Sequence, residues 1–245
     1  AGPFATEMMD ELGADVIHVE SRVRPDVTRL WHGEATEAGP AWEQSASFAQ
    51  PNRSKRSLVL NMHVPGAAGV FGDLVRESDV VISNFSARVL GNWGFDYDRL
   101  RELNPGIVYL TMPAFGGTGP YANYVSTGDV MEGAAGLVLG SGYGPGEFVR
   151  SGTALCDPYG AFAAATLILG ALRNRDLHGV PAHVDLSQRD ATLRFIGEEW
   201  LRFELTGEEP HQWSNEHDEW SPHHAYRCAG DDRWVAIAIR DETEW

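Results

Sequence analysis

The most constraining feature of this chain is that its apolar spacing switches repeatedly between the helical and the strand period. Over residues 4–12 the apolar residues recur at helical spacing, and Gly13 ends that helix ahead of 14–20 (Ala-Asp-Val-Ile-His-Val-Glu), a short buried strand closing on charge. The unit recurs: 57–60 reads as a strand, 65–77 as a helix, 79–83 as a strand, 97–103 as a helix and 107–110 as a strand. Parallel strands need a crossover between them, so this alternation predicts an α/β fold, a mostly parallel sheet covered by helices.

After Pro113 the texture changes. Glycine-rich loops at 115–120 and 140–146 flank a small-residue helix near 130–139, and loops of this kind usually serve a site. A helix over 158–173, a strand over 182–186 and a long amphipathic helix over about 188–205, closed by Gly207, follow. Residues 208–221 are polar and Trp-rich and read as a linker. Residues 225–228 and 234–239, joined by the Gly230-Asp231-Asp232 turn, read as an antiparallel hairpin opening a second domain. The expected division is a large domain over 1–187, a helix and linker over 188–221, and the start of a smaller α+β domain over 222–245.

Charge and cysteine usage narrow the partners. With 35 acidic against 19 basic residues the net charge is -16, which argues against nucleic acid. The most apolar stretch, 159–172, is too short and too rich in Ala and Gly to cross a bilayer, and no basic-then-apolar leader opens the chain. Cys156 and Cys228 lie far apart and match no zinc spacing, so the expectation is a cytoplasmic protein with no metal and no membrane partner. The opening Ala1, and Trp245 just after an Asp-Glu-Thr-Glu helix start, read as cut ends.

Lys55 is the only lysine, and no glycine loop precedes it, so a Walker-type ATP site is excluded. Its segment, Asn52-Arg53-Ser54-Lys55-Arg56-Ser57, is the one dense basic cluster; it is either a solvated turn or a local attractor for an anion. The loop at Gly140 lacks dinucleotide-binding spacing. His211, His217, His223 and His224 cluster late, but their spacing fits no helical ligand pair and hydrated loop histidines are commoner. Trp31, Trp42 and Trp93 could shape a pocket, though core or interface roles are commoner for Trp. Cys156 reads as a small buried residue rather than a thiolate nucleophile.

The sharpest local feature is Ser151-Gly152-Thr153-Ala154-Leu155-Cys156-Asp157-Pro158-Tyr159-Gly160. Asp before Pro ahead of an apolar run is an N-cap signal, which alone would explain Asp157. A carboxylate at a helix N-terminus is also favoured as the anion and aimed over the helix end, as a carboxylate nucleophile requires. Composition leaves both readings open.

Several segments in register resemble the family III CoA-transferases, also called the CaiB/BaiF family. They are the opening Ala-Gly-Pro-Phe-Ala-Thr, the run Leu12-Gly13 to Glu20, Asn52 to Leu58, Asp79-Val80-Val81-Ile82-Ser83-Asn84-Phe85, Leu103-Asn104-Pro105, Phe115 to Pro120, and the tail Tyr226 to Trp234. The family includes formyl-CoA transferase, carnitine CoA-transferase and alpha-methylacyl-CoA racemase. The resemblance implies a Rossmann-like large domain, a small domain and an interlocked homodimer. Family members are longer, with a strand before the Ala-Gly-Pro segment and a return after the small domain.

By this resemblance Asp157, in a Ser-Gly-x-x-x-x-Asp setting, is the nucleophile of an acyl-CoA:carboxylate CoA-transferase. The reaction would run through an aspartyl-acyl anhydride and an aspartyl-CoA thioester, with acyl-CoA and a carboxylic acid as substrates. CoA would lie over the strand ends, at Arg22, Leu60, His63, Asn84, Phe85, Ser86, Asn92 and Trp93. Ser21, His63 and Asn92 replace basic residues of the family pattern, so phosphate contacts would fall to Arg22, Arg53 or Arg88. The rivals are a 2-methylacyl-CoA racemase and a truncated, non-catalytic CoA-binding module. The racemase branch uses a histidine aligned near Thr127-Gly128; no histidine occurs here between His63 and His178, which favours transfer.

Overall fold

The computed structural model describes every residue of 1–245 except His32, Pro145, Pro210, His211 and Trp213; His211, one of the late histidines, thus lies outside the described residues. Helix α1 (Gly2–Glu11) leads into β1 (Ile17–Glu20), α2 (Ala46–Asn52) into β2 (Arg56–Val59) and α3 (Ala67–Glu77) into β3 (Val80–Ser83). Next come α4 (Arg88–Asn92), α5 (Tyr97–Leu103) and β4 (Val108–Thr111). After α6 (Gly128–Ala134), the long α7 (Cys156–His178) precedes β5 (His183–Asp185), α8 (Gln188–Leu193), α9 (Gly197–Thr206) and a hairpin of β6 (His223–Arg227) and β7 (Trp234–Ala238).

Strands β1 and β2 pair in parallel, Ile17 opposite Arg56 and Glu20 opposite Val59. A second parallel sheet has the order β3-β4-β5. The chain is therefore the α/β fold with parallel sheets that the alternation demands.

Strand β4 shows why. All four of its residues are buried, and the period of two sends alternate side chains into different cores. Leu110 and Met112 join Ala5 of α1 and Ala161, Ala164 and Ile168 of α7. Ile107 and Tyr109 join Val75, Leu90, Phe95 and Leu100 on the other side. A strand covered on both faces reads as a continuous apolar run, and each large side chain so buried contributes about 1.5–3 kcal/mol. Helix α7 meets its neighbours through small residues, Gly160, Ala161, Ala164 and Ala165. A Cβ at Gly160 would lie 3.2 Å from Cγ of Gln188.

One expectation is corrected. The single helix over 188–205 is broken: a 3-10 turn over Arg194–Ile196 separates α8 from α9, which starts at Gly197, a poor helix former. Ile196 leaves the helical path to seat its Cδ1 3.0 Å from where a Cβ of Gly136 would stand. In the stretch expected as a linker, the Gln212 amide donates to Ser141 O and Glu147 O and accepts from Gly146 N at 3.0 Å, closing onto the second glycine loop. Trp31 and Trp42 are 47% and 54% exposed, so neither is a core residue of this chain. Among the described residues no helix is long and apolar enough to cross a membrane.

Candidate functional site

Asp157 does not cap α7. The helix begins one residue earlier, at Cys156, with Leu155 in the cap position, so Asp157 and Pro158 are its second and third residues. Proline is tolerated there because first-turn N–H groups have no intrahelical partner. The Asp157 carboxylate takes no bond from its own helix; Oδ1 accepts from the Ala1 nitrogen at 3.0 Å, and the side chain is 39% exposed. Of the two readings of Asp157, the capping one is removed.

Two helix starts meet at this carboxylate, and a third helix lies against it. It stands in the first turn of α7, it faces the start of α1 through Ala1, and Gly128, the first residue of α6, lies beneath it. A Cβ at 128 would collide with Asp157 Oδ2 and sit 2.7 Å from Cβ of Ala154. The partial positive charge of the α1 and α7 starts favours negative charge at this point, by roughly 0.3–1 kcal/mol each at exposed positions.

The backbone leading to Asp157 is strained. Gly152 has φ +76° and Ala154 φ +48°, and the left-handed region costs a residue with a Cβ roughly 1–2 kcal/mol. Glu132 of α6, 1% exposed, holds this turn: Ser151 N donates to its Oε2 at 3.1 Å, Ser151 Oγ to its Oε1 at 2.6 Å and Leu155 N to its Oε1 at 2.7 Å. Burial alone would raise the Glu132 pKa, yet these bonds, with Arg150 nearby, bring it below the ordinary carboxylate value. The sequence reading missed Glu132. Its signal is an acid between Met131 and Gly133-Ala134, inside the small-residue helix expected near 130–139.

Of the expected CoA contacts, Arg22, Leu60, His63 and Asn84-Phe85-Ser86 follow the carboxyl ends of β1, β2 and β3, while Asn92 and Trp93 end α4. The rings of Phe85 and His63 approach Trp93 edge-on, with centroids 5.9 Å and 6.5 Å away. Asn84 is packed under Gly2, where a Cβ would lie 2.9 Å from its own, and Gln188 Nε2 donates to Asn84 Oδ1 at 3.3 Å. Contacts therefore run from Asp157 through Ala1-Gly2 to Asn84-Phe85 and on to Trp93 and His63. Exposed Arg22 follows β1 by two residues, and Leu60, the first residue past β2, donates its N–H to Glu20 O at 2.8 Å. Half-buried Ser86 precedes α4, and exposed Asn92 ends it.

The basic cluster is largely spent on internal pairs. Arg53 lies 2.6 Å from both Glu7 and Glu11, and Arg56 is paired with Asp15 at 2.5 Å. Lys55 Nζ donates to Pro3 O at 2.6 Å, Pro51 O at 2.5 Å and Asn52 Oδ1 at 3.0 Å, which uses all three of its protons. Burial lowers its pKa to about 8, partly offset by Glu7 and Asp10. This lysine ties α1 to the end of α2. Arg22 makes no ion pair among the described residues, and Arg88 donates to Asn123 Oδ1 at 3.1 Å.

Cys156 is fully buried, and burial foremost raises its thiol pKa, so it is the small core residue expected. His217 stacks on Trp220 at 4.1 Å, and His223 Nδ1 lies 2.8 Å from Asn215 O. The first glycine loop is pinned by Asp185, whose Oδ1 and Oδ2 accept from Gly117 N at 2.9 and 2.8 Å.

Comparison with known proteins gives a consistent picture. The family model described as CoA-transferase family III matches residues 1–245. Succinate–glutarate CoA-transferase of Agrobacterium fabrum is 30% identical over 246 residues, covering 100% of this chain and 61% of that protein. Acetyl-CoA:oxalate CoA-transferase of Acetobacter aceti is 32% identical, covering 94% and 60%. The crystal structure of a CAIB/BAIF family protein from Brucella suis superposes with a TM-score of 0.87 at 30% identity, covering 97% of this chain and 62% of that one. The chain spans about three fifths of the length of these relatives.

Proposed function

The chain belongs to CoA-transferase family III, and from that premise we propose that it moves CoA between carboxylic acids with Asp157 as nucleophile. A carboxylate oxygen of Asp157 attacks the thioester carbonyl of the donor, the C–S bond breaks and CoA leaves as thiolate, giving an aspartyl-acyl anhydride. The thiolate then attacks Cγ of Asp157, releasing the donor acid as its carboxylate and leaving an aspartyl-CoA thioester. The acceptor carboxylate displaces that thiolate, and thiolate attack on the acceptor's acyl carbon yields the new CoA ester and free Asp157. No net proton is consumed.

The observation that carries this reading is that Asp157 is free of any capping duty and half-open to solvent, at the meeting of two helix starts. A carboxylate is a poor nucleophile toward a thioester unless it is held in place, and the unpaired backbone N–H groups of a helix start would favour the oxyanions that form. Racemisation needs a proton relay, and the position aligned with its histidine, Thr127-Gly128, touches Asp157 and carries no imidazole. CoA would extend from Asp157 past Asn84 and Phe85 to Trp93 and His63, with Arg22 for its phosphates. Since the relatives are named for succinate, glutarate and oxalate, small dicarboxylic acids are the proposed substrate class.

The test is intact-mass analysis after incubation with succinyl-, acetyl- and formyl-CoA, with hydroxylamine to trap activated carboxyls. A hydroxamate on the peptide carrying position 157, formed only with a productive donor, is expected. A chain that binds CoA and never forms it is a binding module.

A further inference from the structure

We propose that Glu132 is a positioning residue for Asp157, fixing through Ser151 and Leu155 the turn that aims the nucleophile. The inference rests on the reading of Asp157 given above. Glu132 does not reach the reacting carboxylate, and its effect runs through the backbone.

The two ends of its grip bracket the strained stretch. Ser151 stands before Gly152 (φ +76°), and Leu155 after Ala154 (φ +48°) and two residues ahead of Asp157. Left-handed residues persist only where the surroundings over-determine them. Here one buried carboxylate holds both sides, while Thr153 N donates to Ser151 Oγ at 3.1 Å and Asp157 N to Ala154 O at 2.9 Å within the turn. A buried charge is tolerated only when its acceptor sites are filled, and the three donors that fill them all belong to this turn.

Helix α6 supplies a common reference. Gly128 and Glu132 are one helical turn apart and share a face. Gly128 touches the Asp157 carboxylate directly, while Glu132 fixes the segment that delivers it. The nucleophile is thus set against one short helix at two points. That arrangement serves aim, because a misplacement of about 1 Å at the reacting atom can cost on the order of 100-fold in rate.

The experiment compares Glu132→Ala, Glu132→Gln and Ser151→Ala in the full chain by three readouts. These are the single-turnover rate of adduct formation at Asp157 with succinyl-CoA, the Kd for CoA, and amide exchange in the peptide spanning 151–157. Glu132→Ala is expected to slow adduct formation roughly 100-fold, leave the Kd within about twofold and speed exchange at Ser151 and Leu155. Glu132→Gln keeps one acceptor oxygen, enough for Ser151 Oγ and Leu155 N, and is expected to restore the rate to within about fivefold. Ser151→Ala keeps both backbone bonds to Glu132; should the Ala variant at 132 not fold, it carries the test, with an expected loss of about tenfold. Wild-type rates in Glu132→Ala, or in Ser151→Ala where it stands in, overturn the inference and leave Asp157 untouched. A rate loss matched by the loss of CoA binding overturns it as well. Wild-type chain that forms no adduct refutes the reading of Asp157 itself, and the positioning role with it.

Discussion

Replacing Asp157 by Asn separates chemistry from structure more sharply than any other change in this chain. The amide is nearly isosteric, and its Oδ1 can still accept from the Ala1 nitrogen, the one hydrogen bond the carboxylate makes among the described residues. What is lost is a negative charge in the first turn of α7, together with its ion pair to the Ala1 amino group, on a side chain 39% exposed. Each contributes about 0.3–1 kcal/mol at such exposure. Stability should therefore fall by about 1 kcal/mol. Because Asn lacks the anionic oxygen that the proposed anhydride requires, turnover should fall about 1,000-fold or more, a barrier increase of about 4 kcal/mol. Pro158 adds a practical advantage, since its nitrogen carries no hydrogen with which to drive deamidation back to Asp. The assay is steady-state exchange of CoA between succinyl-CoA and a second labelled dicarboxylic acid, run beside calorimetric CoA binding and hydroxylamine trapping. Unchanged binding with loss of rate and adduct is expected. A variant that binds CoA and transfers it within about tenfold of the wild-type rate would refute nucleophilic catalysis at this position.

Further outcomes follow from the same geometry. Gly128→Ala places a Cβ against Asp157 Oδ2 and Ala154, so adduct formation should slow roughly 100-fold with little change in CoA affinity; an unimpaired rate would show that the carboxylate works from another rotamer. Arg53→Gln with Arg56→Gln breaks the exposed pairs to Glu11 and Asp15 and the pair to buried Glu7, so it should cost stability and yet leave the KM for CoA esters within about twofold, whereas Arg22→Gln should raise it about tenfold by removing a charge-assisted phosphate contact; the reverse ranking would favour the basic cluster as the phosphate contact. Lys55, the only lysine, should give one side-chain NMR resonance titrating near pH 8. Its folded pKa, about 8, lies below the unfolded value of 10.5, so between those pH values the unfolded chain binds more protons and stability gains as pH rises. Relative to Lys55→Met, the wild type should gain stability from pH 8 to 10.5 in urea unfolding, and a flat difference would contradict the assigned burial.

The sheet-forming part of the fold was legible because its signals are local. The strands over 80–83 and 108–111 and the helix over 97–103 fall where the apolar period placed them, to within a residue or so. Asp96 accepts from Arg99 N at 2.9 Å, capping α5. Where the reading failed, a distant contact had decided the local geometry. The helix expected over 188–205 breaks where Ile196 finds Gly136, some sixty residues away, and no periodicity within 188–205 encodes that. Gln212, in the polar stretch expected as a linker, is held by two carbonyls and an N–H of the distant loop at 141–147, contacts its own neighbours in sequence do not announce.

The site shows the same division. Asp157 could be singled out from its own ten residues, and His63, Phe85 and Trp93 only through the family resemblance, but what these residues do depends on partners the sequence holds far off. Asp followed by Pro is a strong cap signal, and here it misleads, because α7 starts at Cys156. Glu132 accepts from Leu155 N, the N–H of the cap position itself, and so holds the residue from which α7 starts, while the first-turn N–H groups that a capping side chain would serve take no bond from Asp157. Asp157 instead faces Ala1, Gly128 and the path leading to Asn84. The chemistry proposed for Asp157 therefore depends on a turn held by an acid twenty-five positions away.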